Sequence, residues 1–335
     1  MTPSFFPDAW LPPVFLALMG LAMLVYVVLD GYDLGVGMLM SRATDEERDR
    51  MVASIGPFWD ANETWLVLGV GLLLIAFPRA HGLVLTTLYV PVAVMLVALI
   101  VRGVAFDFRV KAHDRHKPLW NRAFIAGSAL SSVAQGWMLG RYVGGLRDGL
   151  LFDLFAGAIA LALPTAYVLL GACWLVLKTE GELQRRAVRW ARLAWPAVVV
   201  GIALISLFTP WVSATVRERW FRWPEFAWLL PIPLLSVGLL LALRGALASP
   251  RVLGDRCVLP FVLATGVCML GFAGLAYSVW PFVVIDRLTM WQAANAAPAL
   301  RVILIGVAIA LPAIAGYTVF SYRVFGGKAD ALTYA

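Results

Sequence analysis

The sequence predicts an all-α polytopic membrane protein with nine transmembrane helices, its N-terminus outside and its C-terminus inside. The chain of 335 residues is 61% hydrophobic and only 14% charged, whereas soluble domains are about a quarter charged. Its mean hydropathy is +0.84. Basic residues flank long apolar stretches, so the net charge of +7 indicates contact with membrane lipids and not with nucleic acid.

Nine stretches are long and apolar enough to cross a bilayer, which takes about 20 residues in a helix. They form a single transmembrane domain over residues 1–335. The segments 41–55, 105–120 and 178–190 between them are predicted loops, the last one basic and facing lipid headgroups. The predicted helices cover residues 12–40, 60–77, 82–104, 121–140, 153–177, 191–210, 226–247, 257–280 and 299–322.

The distribution of basic residues predicts the orientation. With the N-terminus outside, 18 of the Lys and Arg residues fall in inner segments and 8 in outer segments. Loops that stay in the cytoplasm carry this excess of positive charge. The bias supports this orientation and fits an odd number of spans.

Ionisable side chains interrupt the first three predicted helices, all in their inner halves. Asp30 and Asp33 are three residues apart, so they share a helix face. Gly31 lies between the two acids and Gly35 follows them. The two glycines form a GxxxG pattern that permits close helix contact. Asp60 lies in the first turn of the second helix, where the helix dipole favours negative charge.

Glu63 lies one turn deeper than Asp60 on the same face, and Arg102 and Asp107 lie at the inner end of the third helix. Charges inside a membrane are costly and usually mark an ion or proton pathway. The set therefore predicts proton transfer from the inner side. The alternative is that Arg102 forms a structural ion pair with Asp30, Asp60 or Asp107. Such an ion pair is compatible with proton transfer.

Haem iron is usually held by His or by His with Met. The three histidines, His81, His113 and His116, lie in predicted loops. No zinc signature, phosphate loop or nucleophile elbow is present. We therefore predict no catalytic residue and no metal site here, and any redox chemistry on another subunit.

Four motifs, "LDGYDLGVGML" (29–39), "GPFWDANETWL" (56–66), "YVPVAVMLVALIVRGVAFDFR" (89–109) and "WPFVVIDRLTMW" (280–291), resemble subunit II of the cytochrome bd-type quinol oxidases, including the cyanide-insensitive branch. The resemblance is strongest over 24–109 and 278–327. It implies a nine-helix subunit in a heterodimer with a haem-bearing subunit I. That partner would hold haem b and haem d and oxidise quinol, while O2 is reduced to water.

The resemblance further implies that subunit II stabilises the complex and contributes to proton uptake from the cytoplasmic side. Asp60 matches the family aspartate associated with that path, and Glu63 stands where other members carry Gln or Glu. Tyr334 is the candidate for a C-terminal tyrosine that joins the path in some members. A small one-helix subunit and a structural quinone are further expectations, without residue assignments.

Two alternative functions use the same residues. A proton-coupled secondary transporter would drive a solute with these acids, although no matching pair of broken helices appears in the second half of the sequence. An assembly scaffold would hold the same carboxylates without moving protons.

Overall fold

The structure is a computed structural model that describes residues 8–111 and 115–329. Helices make up nearly all of the described chain. In order they are α1 (Leu11–Leu39), α2 (Asp45–Ile55), α3 (Trp59–Ala76), α4 (Pro78–Lys111), α5 (Lys117–Val143), α6 (Leu150–Lys178), α7 (Gly181–Val212), α8 (Ala214–Phe221), α9 (Glu225–Leu229), α10 (Pro231–Ala248), α11 (Leu259–Val279), α12 (Met290–Ala293) and α13 (Ala297–Val324).

Eight helical segments among the described residues are long and apolar enough to cross a membrane. This confirms the predicted all-α polytopic membrane class. The segments are Leu11–Arg42, Trp59–Ala76, Pro78–Arg109, Leu150–Lys178, Gly181–Val212, Glu225–Ala248, Leu259–Val279 and Ala297–Val324.

The predicted helix at 121–140 is present as α5, but α5 is not among these eight segments. The polar residues that lower the hydropathy of α5 have side chains that are buried inside the bundle. These side chains belong to Asn121, Ser128, Ser131, Ser132 and Gln135. The ninth crossing therefore remains a prediction.

The predicted loop at 178–190 is wrong, since α7 begins at Gly181 and carries the basic run in helical form. Leu183, Ala187 and Trp190 recur at helical spacing along it and are buried. The predicted loop at 41–55 contains α2, whose first turn has a capping box between Thr44 and Glu47.

Among the described residues, the β-strands form one short antiparallel hairpin. It consists of β1 (Phe282–Val284) and β2 (Leu288–Thr289). The turn between them places Asp286 at a φ of +59°. The Arg147 side chain pairs with the Asp286 carboxylate at 2.9 Å, which ties the hairpin to the loop between α5 and α6.

Helix α1 packs against α3, α5 and α6, and so lies inside the bundle. Its closest neighbour is α6, because a Cβ atom built on Gly35 would lie 1.8 Å from the Tyr167 carbonyl oxygen. A Cβ atom built on Gly171 of α6 would lie 2.5 Å from the Gly35 backbone. This contact confirms the close approach predicted from the GxxxG pattern, and it brings the acids of α1 to the centre of the protein.

Candidate functional site: a buried acidic cluster around Arg102

Three neighbouring helices bring the predicted polar residues together. Asp30 and Asp33 on α1 are fully buried, and Arg102 on α4 is 1% exposed. Glu63 on α3 faces the same guanidinium with a side chain that is 30% exposed. These four residues, which we call the acidic cluster, form the part of the predicted set that meets in space.

Arg102 joins the members of the acidic cluster. Its Nη1 donates to Asp30 Oδ1 at 2.9 Å and to Glu63 Oε1 at 2.8 Å. Its Nη2 lies 3.9 Å from Asp33 Oδ2. Of the three predicted partners of Arg102, the structure pairs it with Asp30 and not with Asp60 or Asp107.

Three carboxylates face one guanidinium, so a fully ionised cluster carries an excess of negative charge. Asp30 Oδ2, Asp33 Oδ1 and the Nε and Nη2 atoms of Arg102 have no hydrogen-bond partner among the described residues. Buried charges and buried polar atoms without partners are costly. A proton or a water molecule would satisfy the carboxylate oxygens, whereas the N–H groups of Arg102 need an acceptor such as water. The cluster is therefore chemically suited to accept a proton on its carboxylates.

Asn62 connects the acidic cluster to the last membrane helix. Its Nδ2 donates to Asp33 Oδ2 at 2.7 Å and to the Tyr32 hydroxyl at 3.0 Å. The Tyr322 hydroxyl donates to Asn62 Oδ1 at 3.2 Å, and the Tyr32 and Tyr322 hydroxyls contact each other. Since an amide oxygen only accepts, Tyr32 must donate to Tyr322, and the three groups form a closed ring of hydrogen bonds.

A second buried network surrounds Asp30 on its other side. Gln135 Nε2 donates to the Tyr26 hydroxyl at 2.8 Å and to Ser131 Oγ at 3.1 Å. The Tyr167 hydroxyl donates to Gln135 Oε1 at 2.8 Å. Tyr26 thus accepts from Gln135, and its hydroxyl lies near the Asp30 carboxyl.

Asp60 lies in the first turn of α3, as predicted, but its side chain is exposed on the isolated chain. Asp107 is also exposed on the isolated chain, so its role as a buried charge partner stays a prediction. Five residues separate it from Arg102, which puts the two side chains on different faces of α4. The like charges of the Asp60 and Asp107 carboxylates repel each other.

The acids on α3 and α1 therefore differ stepwise in exposure. Asp60 is exposed, Glu63 is partly exposed, and Asp30 and Asp33 are fully buried. Asp60 lies at the start of α3 and Glu63 lies one turn further along, so the exposure of these acids falls from the start of the helix inward. A proton entering beside Asp60 would reach the interior by way of Glu63.

Tyr334 lies outside the described residues. Tyr322 is the tyrosine from the C-terminal part of the chain that contacts the site, and sequence reasoning did not identify it. Tyr32, Tyr26, Asn62, Gln135 and Tyr167 were missed as well. Asn62 alone carried a usable signal, because it is adjacent to Glu63 in a polar stretch that opens a membrane helix.

Two of the three histidines, His81 and His116, lie among the described residues. No group of three or more His, Cys, Asp or Glu side chains among them is arranged to hold a metal ion. His116 precedes α5 at an exposed position, and His81 lies in the first turn of α4 and not in the predicted loop.

A family model described as "Cytochrome bd terminal oxidase subunit II" matches residues 11–325. The chain is 28% identical to "Cytochrome bd-I ubiquinol oxidase subunit 2" of Escherichia coli (strain K12), over 92% of this chain and 93% of that protein. It is 27% identical to "Cytochrome bd ubiquinol oxidase subunit 2" of Bacillus subtilis (strain 168), over 90% and 91% respectively.

The fold is similar to that of a chain in the structure of bd oxidase from Geobacillus thermodenitrificans. The TM-score is 0.76 with 16% identity, and the alignment covers 95% of this chain and 99% of that chain. At this level of identity the likeness concerns the fold.

Proposed function

Because the chain belongs to the family of cytochrome bd terminal oxidase subunit II, we propose that its acidic cluster takes up protons from the cytoplasmic side for oxygen reduction. The chain is a subunit of a terminal quinol oxidase and so forms part of a quinol:oxygen oxidoreductase. It is a multi-pass protein of a bacterial inner membrane, and family membership implies a partner, oxidase subunit I.

The observation that carries the proton proposal is the stepwise burial of carboxylates around Arg102. Asp60 accepts the entering proton, Glu63 passes it inward, and Asp30 with Asp33 holds it beside the guanidinium. Ionisable groups inside membrane proteins commonly form such relays. The Asn62 amide, which bonds the Tyr32 and Tyr322 hydroxyls, orients Asp33.

The direction of uptake follows from the orientation that we propose, with nine crossings, the N-terminus outside and the C-terminus inside. In that orientation the end of α1, the start of α3 and the end of α4 all lie at the cytoplasmic side. The basic residues Arg42, Arg109 and Lys111 at these ends support it, because positive charge favours the inner side.

The oxidation of quinol and the reduction of O2 take place on the partner in this proposal, with haem b and haem d there. This chain stabilises that partner and delivers protons. A small one-helix subunit and surrounding lipids complete the assembly, and a structural quinone in this chain is part of the same proposal without assigned residues.

The test replaces single acids in the two-subunit complex. Asp60→Asn and Glu63→Gln keep the size and hydrogen-bonding capacity of each side chain but remove its ability to carry a proton as an acid. We expect oxygen consumption to fall by about a hundredfold, the lower end of the contribution of a positioned proton-transfer group. The haem absorption spectrum of the purified complex should stay unchanged.

Asp45→Asn provides the matched control, because Asp45 is an exposed acid on the short helix α2 that precedes α3. It should consume oxygen at the normal rate. Normal turnover of both Asp60→Asn and Glu63→Gln across pH would remove the proton role. Loss of the haem spectrum in these variants would favour the alternative in which the acids only support assembly.

A further inference from the structure

A groove of about 320 Å³ lies where the first turns of α7 meet the end of α10. One wall carries the side chains of Arg185, Arg189 and Arg192, and Val188, Val252 and Leu253 supply apolar surface. The segment 178–190, which was predicted as a loop facing lipid headgroups, is helical from Gly181 onward. Its helical form places these arginines on a regular surface.

The three arginines occur at spacings of four and three residues along α7, so they share one face of the helix. Glu182 is the one carboxylate among the described residues that line the groove. Its oxygens lie 2.9 Å from Arg189 Nη2 and 3.8 Å from Arg185 Nη1. One negative charge against three positive charges leaves a net charge of +2 at the groove.

Arg192 is held in place by the end of α10. Its Nε and Nη2 both donate to the Leu247 carbonyl oxygen, at 3.0 and 2.5 Å. This bond satisfies a carbonyl group that the helix end leaves without an intrahelical partner. The bond to a neutral carbonyl leaves the charge of Arg192 uncompensated.

The groove lies at the ends of two membrane spans, Gly181–Val212 and Glu225–Ala248. The ends of such spans meet the lipid phosphates, and the hydrocarbon begins one or two turns further in. Large apolar side chains are exposed there, Leu193 on α7 and Leu241 on α10. A basic groove is thus continuous with an apolar surface, which matches the two ends of a phospholipid.

We propose that this groove binds an anionic phospholipid, with its phosphodiester against Arg185, Arg189 and Arg192 and its acyl chains along α7 and α10. Guanidinium groups bind phosphate oxygens in a planar, often bidentate geometry. Glu182 competes with the lipid phosphate for Arg185 and Arg189. The site is separate from the acidic cluster and requires no proton transfer.

The experiment measures lipid binding to the delipidated two-subunit complex by native mass spectrometry. Phosphatidylglycerol and phosphatidylcholine are titrated in parallel, and a third arm adds inorganic phosphate before phosphatidylglycerol. Phosphatidylglycerol should bind more tightly than phosphatidylcholine. In Arg185→Gln/Arg189→Gln its affinity should fall roughly 30-fold, at about fivefold for each basic residue.

Two further variants make the test specific. Arg115→Gln/Arg122→Gln removes the same charge from two other exposed arginines near the start of α5, and it should leave the affinity unchanged. Glu182→Gln removes the competing carboxylate, and it should tighten phosphatidylglycerol binding. If only the total basic charge mattered, the two double arginine variants would lose the same affinity for phosphatidylglycerol.

Equal binding of the two lipids would overturn the proposal, and so would equal losses in the two double variants. Full competition by inorganic phosphate would assign the groove to free phosphate and overturn the lipid as occupant. Oxygen consumption should be unchanged in Arg115→Gln/Arg122→Gln, and lipid binding is measured without turnover, so failure here is distinguishable from failure of the proton proposal.

Discussion

Arg102 is the residue on which the charge balance of the acidic cluster depends. It is buried, and it contacts Asp30, Asp33 and Glu63. Replacing a buried ion pair by apolar groups as a whole is often tolerated, whereas removing one partner leaves the other charge buried without compensation. The guanidinium is therefore expected to matter more for stability than any one of the acids.

Arg102→Leu should destabilise the complex by about 3–5 kcal/mol, the cost typical of breaking a buried pair. The measurement is the thermal denaturation midpoint of the purified complex. Arg301→Leu is the control, because Arg301 is 62% exposed and pairs with Asp8 near the protein surface, where such pairs contribute at most about 1 kcal/mol. Equal effects of the two changes would contradict the central role of Arg102.

A double variant separates charge from packing at this position. Arg102→Leu/Asp30→Asn removes one of the stranded carboxylates, so it should be more stable than Arg102→Leu alone. If the second change brings no recovery, loss of the arginine's packing contacts explains the destabilisation better than loss of its charge.

Gln135 is the residue that orders the second polar network. Gln135→Leu leaves the Tyr26 and Tyr167 hydroxyls without their amide partner, and an unsatisfied buried group costs about 1–3 kcal/mol. We expect a lower denaturation midpoint. Adding Tyr26→Phe and Tyr167→Phe should restore part of it, because removing all partners together is nearly neutral. No recovery would indicate that the hydroxyl groups are satisfied without Gln135.

At the scale of elements, the packing of α1 decides where the acids lie. The spacing of Gly31 and Gly35 predicted a close helix contact, and Gly35 makes one with Gly171. The identity of the partner helix was not predictable, because a GxxxG pattern describes only one of the two surfaces. The same limit applies to Tyr322, which reaches Asn62 from 260 residues away along the chain.

Helix ends were predicted less well than helix centres. Hydropathy marks the part of a helix that lies in lipid, so α7 was expected to begin at 191 although it begins at Gly181. Its amphipathic first turns, with Leu183, Ala187 and Trp190 on one face, carry a helical period that an average over hydropathy does not detect. Helix α5 was predicted as a span. Its buried serines and Gln135 make it too polar to count among the apolar spans.

Gly35→Ala tests the α1–α6 contact. The new methyl group would lie 1.8 Å from the Tyr167 carbonyl oxygen, which is backbone and cannot move aside alone. The helices must separate, and we expect the yield of assembled complex to fall severalfold. Gly20→Ala in the same helix is the control, since its methyl group would make an ordinary 3.7 Å contact with Phe272. That change should be neutral or slightly stabilising, because alanine favours helix over glycine by about 0.5–1 kcal/mol. Equal yields of the two variants would contradict the close packing.

For the whole molecule, the number of crossings and the orientation depend on α5. If α5 spans the membrane, the loop before it and the loop after it lie on opposite sides. If it does not, the two loops share a side and every later segment is inverted. The polar side chains of α5 are buried against α1 and α6, where they need not contact lipid. A span of this kind is compatible with low average hydropathy.

Single cysteines at Glu46 and Asp148 distinguish the two topologies. Both residues are exposed acids, on α2 and between α5 and α6. The background carries serine at Cys257 and Cys268, while Cys173 is buried and unreactive. With nine crossings and the N-terminus outside, a membrane-impermeant maleimide should label Asp148→Cys in spheroplasts and Glu46→Cys only in inverted vesicles. Labelling of both from one side would show that α5 does not cross, and reversed labelling would invert the orientation. In the reversed case the acids beside Asp60 would face the periplasm, and proton uptake from the cytoplasm through them would be excluded.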